Sequence, residues 1–172
     1  MINACADTVK IVTLTPDHYV LPIIAQWHFA QWGHLRENDS EAAALERLRA
    51  ACTPTAAVPS AYVALCDETP VGTARLIEYD MPDMPRRTPW LAAVIVTPKY
   101  RRRGIASMLV RHAEQVTFNA GYAALYLYTP DQQRLYSRLG WQPLEEAGYR
   151  GQQVTIMRRL APRLEAKRQA AG

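Results

Sequence analysis

Val9 to Leu14 (VKIVTL) alternates apolar and polar positions and is rich in β-branched residues, the pattern of a half-buried strand. Thr15-Pro16 then offers a helix cap with proline at the first helical position, which predicts a helix from about Pro16 to Gln31 that stops at Gly33. Ser40 caps a second predicted helix over EAAALERLRAAC, with Thr53-Pro54 as its stop. Ala61–Cys66 and Val71–Glu78 flank the turn residues Asp67 to Pro70 and predict an antiparallel hairpin. From Asp80 to Pro89 the prolines at 82, 85 and 89 exclude a regular element, so this stretch is expected as an exposed loop bordering a substrate site.

Trp90 to Val96 is a nearly continuous apolar run, as expected of a central strand covered on both faces. Beyond Gly104, Ile105, Met108, Leu109, Ala113 and Val116 recur at helical spacing up to Asn119, and Gly121 ends the helix. His112 shares that apolar spacing and is expected to be a packed, hydrogen-bonded residue. Ala124–Tyr128 predicts a strand, Asp131–Leu139 a short helix, and Trp141–Glu146 with Gln153–Leu160 a last strand pair. The resulting order, β-α-α-β-β-β-α-β-α-β-β, is that of a mixed α/β domain over residues 1–160. Residues 161–172 read as a basic tail without a core-forming pattern, open to disorder.

Composition adds bounds rather than detail. The 172 residues, 49% of them hydrophobic, suffice for one domain with a full core. Three scattered cysteines, Cys5, Cys52 and Cys66, do not make a disulfide framework, and no Cys/His spacing suggests a metal site; a reducing cytoplasm is expected. No stretch has the length and apolarity of a membrane span. The net charge of +4 is concentrated in short clusters, among them Lys99 to Arg103, and not spread as a basic coat.

The chemistry concentrates where the buried strand meets the next helix, in VIVTPKYRRRGIAS from Val94 to Ser107. The free N–H groups of a helix start and the dipole behind them favour an anion, and Gly104 allows a ligand close to the backbone. This run resembles motif A of the GNAT acetyltransferase superfamily: Arg101, Gly104 and Ala106 meet its Gln/Arg-x-x-Gly-x-Gly/Ala loop, and V-x-V-x-P-x-Y precedes it. The resemblance implies a GNAT fold, a twisted mixed sheet with splayed central strands, and acetyl-CoA as cosubstrate. It implies that Val94, Ile95 and Val96 bind the pantetheine arm through their backbone. It further implies that the turn and helix start, with Arg101, Arg102, Arg103, Gly104, Ile105, Ala106 and Ser107, cradle the pyrophosphate.

Leu135, Tyr136, Gly140 and Trp141 match the Leu-Tyr-x-x-x-Gly-Phe/Trp ending of GNAT motif B. The match implies that Tyr136 is the general acid that protonates the departing thiolate. The asparagine that many relatives carry before this tyrosine is absent here.

A glutamate that many GNATs place on the central strand is replaced by Ala92 and Ala93. The ionisable candidates near the acceptor are therefore Glu78 and Asp80, with Tyr128 as a polar contact. Trp32 and His34 are candidates for the rim of the acceptor pocket. The expected activity is direct transfer of an acetyl group to a primary amine of a small molecule or peptide, without a metal and away from membranes and nucleic acid, with a homodimer compatible with the family. Two rivals within the fold are an acetyltransferase acting on aminoacyl-tRNA and a non-catalytic acyl-CoA sensor. A nucleic-acid module built on the arginine run ranks behind both, because no stacking platform accompanies the charge.

Overall fold

The structure, a computed structural model, describes residues 9–53 and 55–170, so the expectations placed on Cys5 and Pro54 lie outside the described residues. In chain order it contains β1 (Val9–Thr13), α1 (Leu21–Trp32), α2 (Glu41–Ala51), β2 (Ser60–Cys66), β3 (Thr69–Ile77), β4 (Trp90–Val96) and α3 (Ile105–Asn119). β5 (Ala124–Thr129), α4 (Gln133–Arg138), β6 (Gln142–Tyr149), β7 (Gln152–Leu160) and α5 (Pro162–Ala170) follow. The strands form one seven-stranded mixed sheet in the order β1-β2-β3-β4-β5-β7-β6. Every neighbouring pair is antiparallel except β4 beside β5.

Helices cover both faces of the sheet, and β2 shows how the sequence arranges this. Its Tyr62, Ala64 and Cys66 join the cluster made with Ile105, Leu109, Val110 and Ala113 of α3. The alternate residues Ala61, Val63 and Leu65 join Leu21, Ile24, Ala25, Ala44 and Leu48 of α1 and α2. Period-two alternation between two covered faces leaves no polar side, which is why all seven residues of β2 are buried.

The structure corrects the sequence-based picture at several points. Helix α1 starts at Leu21, not Pro16, after turns in which His18 N–H donates to Thr15 O (3.1 Å) and Leu21 N–H to His18 O (3.0 Å). Pro22 decides this: within a helix begun at Pro16 it would remove a hydrogen bond and clash with the preceding turn, whereas at the start of α1 its missing N–H costs nothing. The β2–β3 turn is confined to Asp67 and Glu68, both at positive φ (48° and 66°), and pairing resumes at Thr69. Ser40 caps α2 as expected, its Oγ accepting from Ala43 N–H at 3.1 Å.

The basic tail forms α5, tied back by an Arg159–Glu165 ion pair and by Arg168 Nη1 donating to Gln142 Oε1 at 2.8 Å. None of the residues of α5 is buried, so the hydrophobic pattern carried no trace of it. Cys66 is disulfide-bonded, contrary to the reduced state expected from the cysteine count; a single bridge depends on which thiols the fold brings together, and spacing does not report that. His112 packs edge-on to Tyr62 (centroids 4.6 Å apart), but its Nε2 is buried without a hydrogen-bond partner among the described residues.

Candidate active site

β4 and β5 run side by side at a single register pair, Trp90 opposite Tyr126, where Tyr126 N–H donates to Pro89 O at 3.0 Å. Beyond that point the strands diverge. A parallel pair keeps its ladder only while both strands hold one plane, and β4 leaves it through a bulge. The β3–β4 register runs from Arg75 opposite Ala92 to Thr73 opposite Ile95, and Ala93 within the bulge sits at φ 54°. A non-glycine residue in the left-handed region costs free energy and recurs where a strand must re-aim its groups at a functional site. The divergence opens a cleft of about 1120 Å³ lined by β4, the start of α3, the end of β5 and α4. Burial of β4 accordingly falls from Trp90 and Leu91, which are covered, to a half-buried stretch from Ala92 onward.

At one end of the cleft the chain turns through Pro98–Tyr100 and enters α3. Arg102 at φ 58° and Gly104 at φ 79° reverse its direction, and Arg101 Nε ties the turn to the strand by donating to Val96 O at 3.0 Å. Gly104 O accepts from Met108 N–H (3.0 Å), which leaves the N–H groups of Ile105, Ala106 and Ser107 without an intrahelical acceptor at the cleft wall. A Cβ built on Gly104 would meet no atom within 4 Å, so a ligand can come close to this backbone. Val94, Ile95, Val96, Arg101 and Arg102 line the cleft as well, whereas Arg103 lies over the Tyr100 ring, 5.1 Å from its centroid, and is not part of the lining.

Tyr136 projects from α4 into the same cleft, 93% buried by exposed area and held edge-on by Trp141 at 5.9 Å. Burial, with the Asp131 charge adding to it, pushes its hydroxyl up to about 12. The aromatic clamp is anchored from below: Trp141 Nε1 donates to Glu114 Oε1 at 2.8 Å, and the buried Glu114 also receives Arg111 Nη1 at 2.9 Å.

The other end of the cleft lies under α1 and α2. Of the residues expected near an acceptor, Trp32, Asp80 and Tyr128 line it, whereas His34 and Glu78 do not; both are exposed. Burial raises the Asp80 carboxyl above the usual value of 3.8 although Arg150, Arg75 and Arg36 oppose the shift. Burial likewise raises the Tyr128 hydroxyl, with the Asp80 charge next in effect. The sequence reading missed Arg75, Arg36, Arg47, Arg150 and His28, all of which reach this end. Arg75 had left a signal, the one charged residue inside the VGTARLI strand. Desolvation lowers its guanidinium from the usual arginine range, and its Nε is shut off from water without a hydrogen-bond partner. His28, 8% exposed and tilted against Trp32, is lowered to about 3, first by burial and then by Arg75 and Arg47, so it is neutral.

Among the described residues, no group of three or more His, Cys, Asp or Glu could hold a metal ion, and no helix is long and apolar enough to cross a membrane.

Residues 21–141 match the family model described as acetyltransferase (GNAT) family. A search of curated proteins finds no significant match. Among solved structures, the yncA protein of Salmonella typhimurium with its cofactor acetyl-CoA superimposes with a TM-score of 0.70 at 15% identity, covering 89% of this chain and 94% of that one. An aminoglycoside 6'-N-acetyltransferase complexed with coenzyme A gives 0.69 at 16% identity, covering 88% and 97%. A GNAT family acetyltransferase from Elizabethkingia anophelis with acetyl-CoA bound gives 0.60 at 14% identity, covering 90% and 99%. At these identities the structural likeness speaks to the fold alone.

Proposed function

Because the chain belongs to the acetyltransferase (GNAT) family, we propose that it transfers an acetyl group from acetyl-CoA directly to a primary amine in the cleft between β4 and β5. One juxtaposition carries this reading: the unpaired amides that open α3 and the Tyr136 side chain line the same cleft. The residues present suit acetyl-CoA. The amides of Ile105, Ala106 and Ser107 offer donors to a pyrophosphate, Arg101 and Arg102 add positive charge, and Gly104 leaves the approach open. The β5-facing edge of Val94, Ile95 and Val96 has no strand neighbour, so its backbone groups are available to the amides of a pantetheine arm.

Acetyl-CoA supplies the acetyl group as an activated thioester. Tyr136, kept protonated by its burial, is placed to give its proton to the departing sulfur. Asp80 is the residue best suited to take a proton from the acceptor ammonium, because its raised carboxyl is a stronger base than an exposed aspartate. A backbone N–H on the open edge of β4 would supply a hydrogen bond to the thioester carbonyl as charge develops on its oxygen.

The test is release of coenzyme A thiol from acetyl-CoA over a panel of amino acids, polyamines, aminoglycosides and short peptides, with product masses read in parallel. Acceptor-dependent release with a mass gain of one acetyl group is the expected result. Tight acetyl-CoA binding without turnover on any amine would turn the reading toward a non-catalytic sensor.

A further inference from the structure

Arg75 has the features of a binding group waiting for an anion. It rises from the middle of β3 into the cleft, and among the described residues its guanidinium takes part in no hydrogen bond or ion pair. Its Nε is buried without a hydrogen-bond partner, and a fold tolerates an unpaired donor of this kind where a ligand completes the pairing. Its surroundings make an internal partner less available. Asp80 is its strongest opposite charge yet forms no salt bridge with it, Asp39 is occupied by both carboxylate oxygens on Arg47 Nη2 (2.8 and 2.7 Å), and Arg36 adds like charge. Arg150, also at the cleft, lies over the Tyr149 ring.

This charge is separate from the cofactor end. Arg75 pairs with Ala92, ahead of the β4 bulge, whereas the turn into α3 follows Val96, which pairs with Gly72. Four residues of strand put about 13 Å between the two positions. The acceptor end thus holds Arg36, Arg47, Arg75 and Arg150 against Asp39 and Asp80. An amine brought there with no anion of its own, or with further positive charges, meets an excess of cations.

Resting on the acetyltransferase reading, we propose that the acceptor is a small amine that also carries an anionic group, carboxylate or phosphoryl, and that Arg75 binds this anion while Asp80 receives the ammonium. Arg75 is then a determinant of acceptor specificity. Its planar donors match a carboxylate or phosphoryl oxygen pair, and Arg36 at the rim steers the anion inward.

The experiment compares matched acceptors that differ only in the anion: amino acids with their amides, and aminoalkylphosphonates with the corresponding alkylamines. For wild-type enzyme, kcat/KM for the anionic member should exceed that of its neutral partner about ten- to hundredfold, as for loss of a charged hydrogen-bond pair. The amino-acid and phosphonate arms distinguish the two sources of the anion. Arg75→Gln should bring each pair to near equality mainly through KM of the anionic member, Arg75→Lys should restore part of the preference, and the exposed Arg36→Gln should reduce it in a variant whose core is untouched. A second readout does not need turnover: in the presence of saturating coenzyme A, calorimetric titration with N-acetyl amino acids and their amides should show the same preference and its loss in Arg75→Gln. Equal handling of acid and amide by wild-type protein in both assays, or a preference for polyamines, overturns the proposal. Preferential binding of the N-acetyl acids without any acetyl transfer would uphold the anion site while removing the reaction.

Discussion

Trp90 and Tyr126 are the last residues at which β4 and β5 still stand opposite one another, and from this pair the two strands open toward the N-terminus of α3. Trp90 is fully buried, with its ring tilted 5.9 Å from that of Tyr126 and edge-on 6.4 Å from that of Tyr128, so the cleft opens from a packed aromatic cluster. Three of the substitutions below act on groups that line this cleft, and the fourth acts on the support beneath Trp141.

Gly104→Val should separate cofactor binding from folding. The structure leaves room for the side chain, so the cost to the fold is the left-handed φ of 79°, roughly 1–2 kcal/mol for a residue with a Cβ. The same side chain would stand where the proposed pyrophosphate approaches, so acetyl-CoA affinity measured by calorimetry should fall on the order of tenfold or more. Unchanged affinity in a folded variant would remove the cradle from this turn.

Tyr136→Phe should keep the packing against Trp141 and lose only the proton donor. The expected result is acetyl-CoA affinity near that of the wild type with kcat lowered about ten- to a hundredfold, the low end of general-acid effects because a thiolate leaves readily. Since burial pushes Tyr136 up to about 12, it remains protonated over the assay range, and the variant should keep the shape of the wild-type pH–rate profile at a lower height. Wild-type single-turnover rates would exclude the assignment.

Asp80→Asn tests the proposed base. Burial raises the folded carboxyl above 3.8, so the folded state holds its proton to higher pH than the unfolded chain does. Stability from this group is therefore present below 3.8 and is lost as pH rises through the raised value; acid–base titration of urea midpoints should show that slope in wild type and not in the variant. Activity runs the other way, because only the carboxylate accepts a proton. The acid limb of kcat/KM should disappear in Asp80→Asn together with most of the rate at neutral pH.

Glu114→Ala should destabilise the protein by about 2–4 kcal/mol in urea unfolding, because it leaves the buried Trp141 N–H without its acceptor and Arg159 without its nearby charge. Trp141 in turn packs on Tyr136, so turnover should fall as well. Glu114→Gln, which can still accept from Trp141, should lose less on both counts.

Strand and helix order was legible in the sequence because each main element is long enough to show its own period: alternation in β1, a closed apolar run in β4, 3.6-residue spacing in α3. The turn into α3 was legible for the same local reason, since an unpaired helix start and Gly104 are features of consecutive residues. Tyr136 could be named from its motif neighbours Leu135, Gly140 and Trp141. What the chain could not report was anything set by distance across the fold. Pro22 displaced the start of α1, Arg159 and Gln142 gave α5 its anchors, and Cys66 formed a disulfide. The end of the cleft lined by Asp80 shows the same limit. Glu78 and Asp80 are indistinguishable as neighbours in sequence, yet the bend that follows β3 leaves one exposed and brings the other to the cleft. Arg36, Arg47, Arg75 and Arg150 come from a loop, a helix, a strand and a turn, so their shared charge exists only once the backbone brings them together. Electrostatic interaction depends on separation in space and on exclusion of water, and neither can be read along a linear chain.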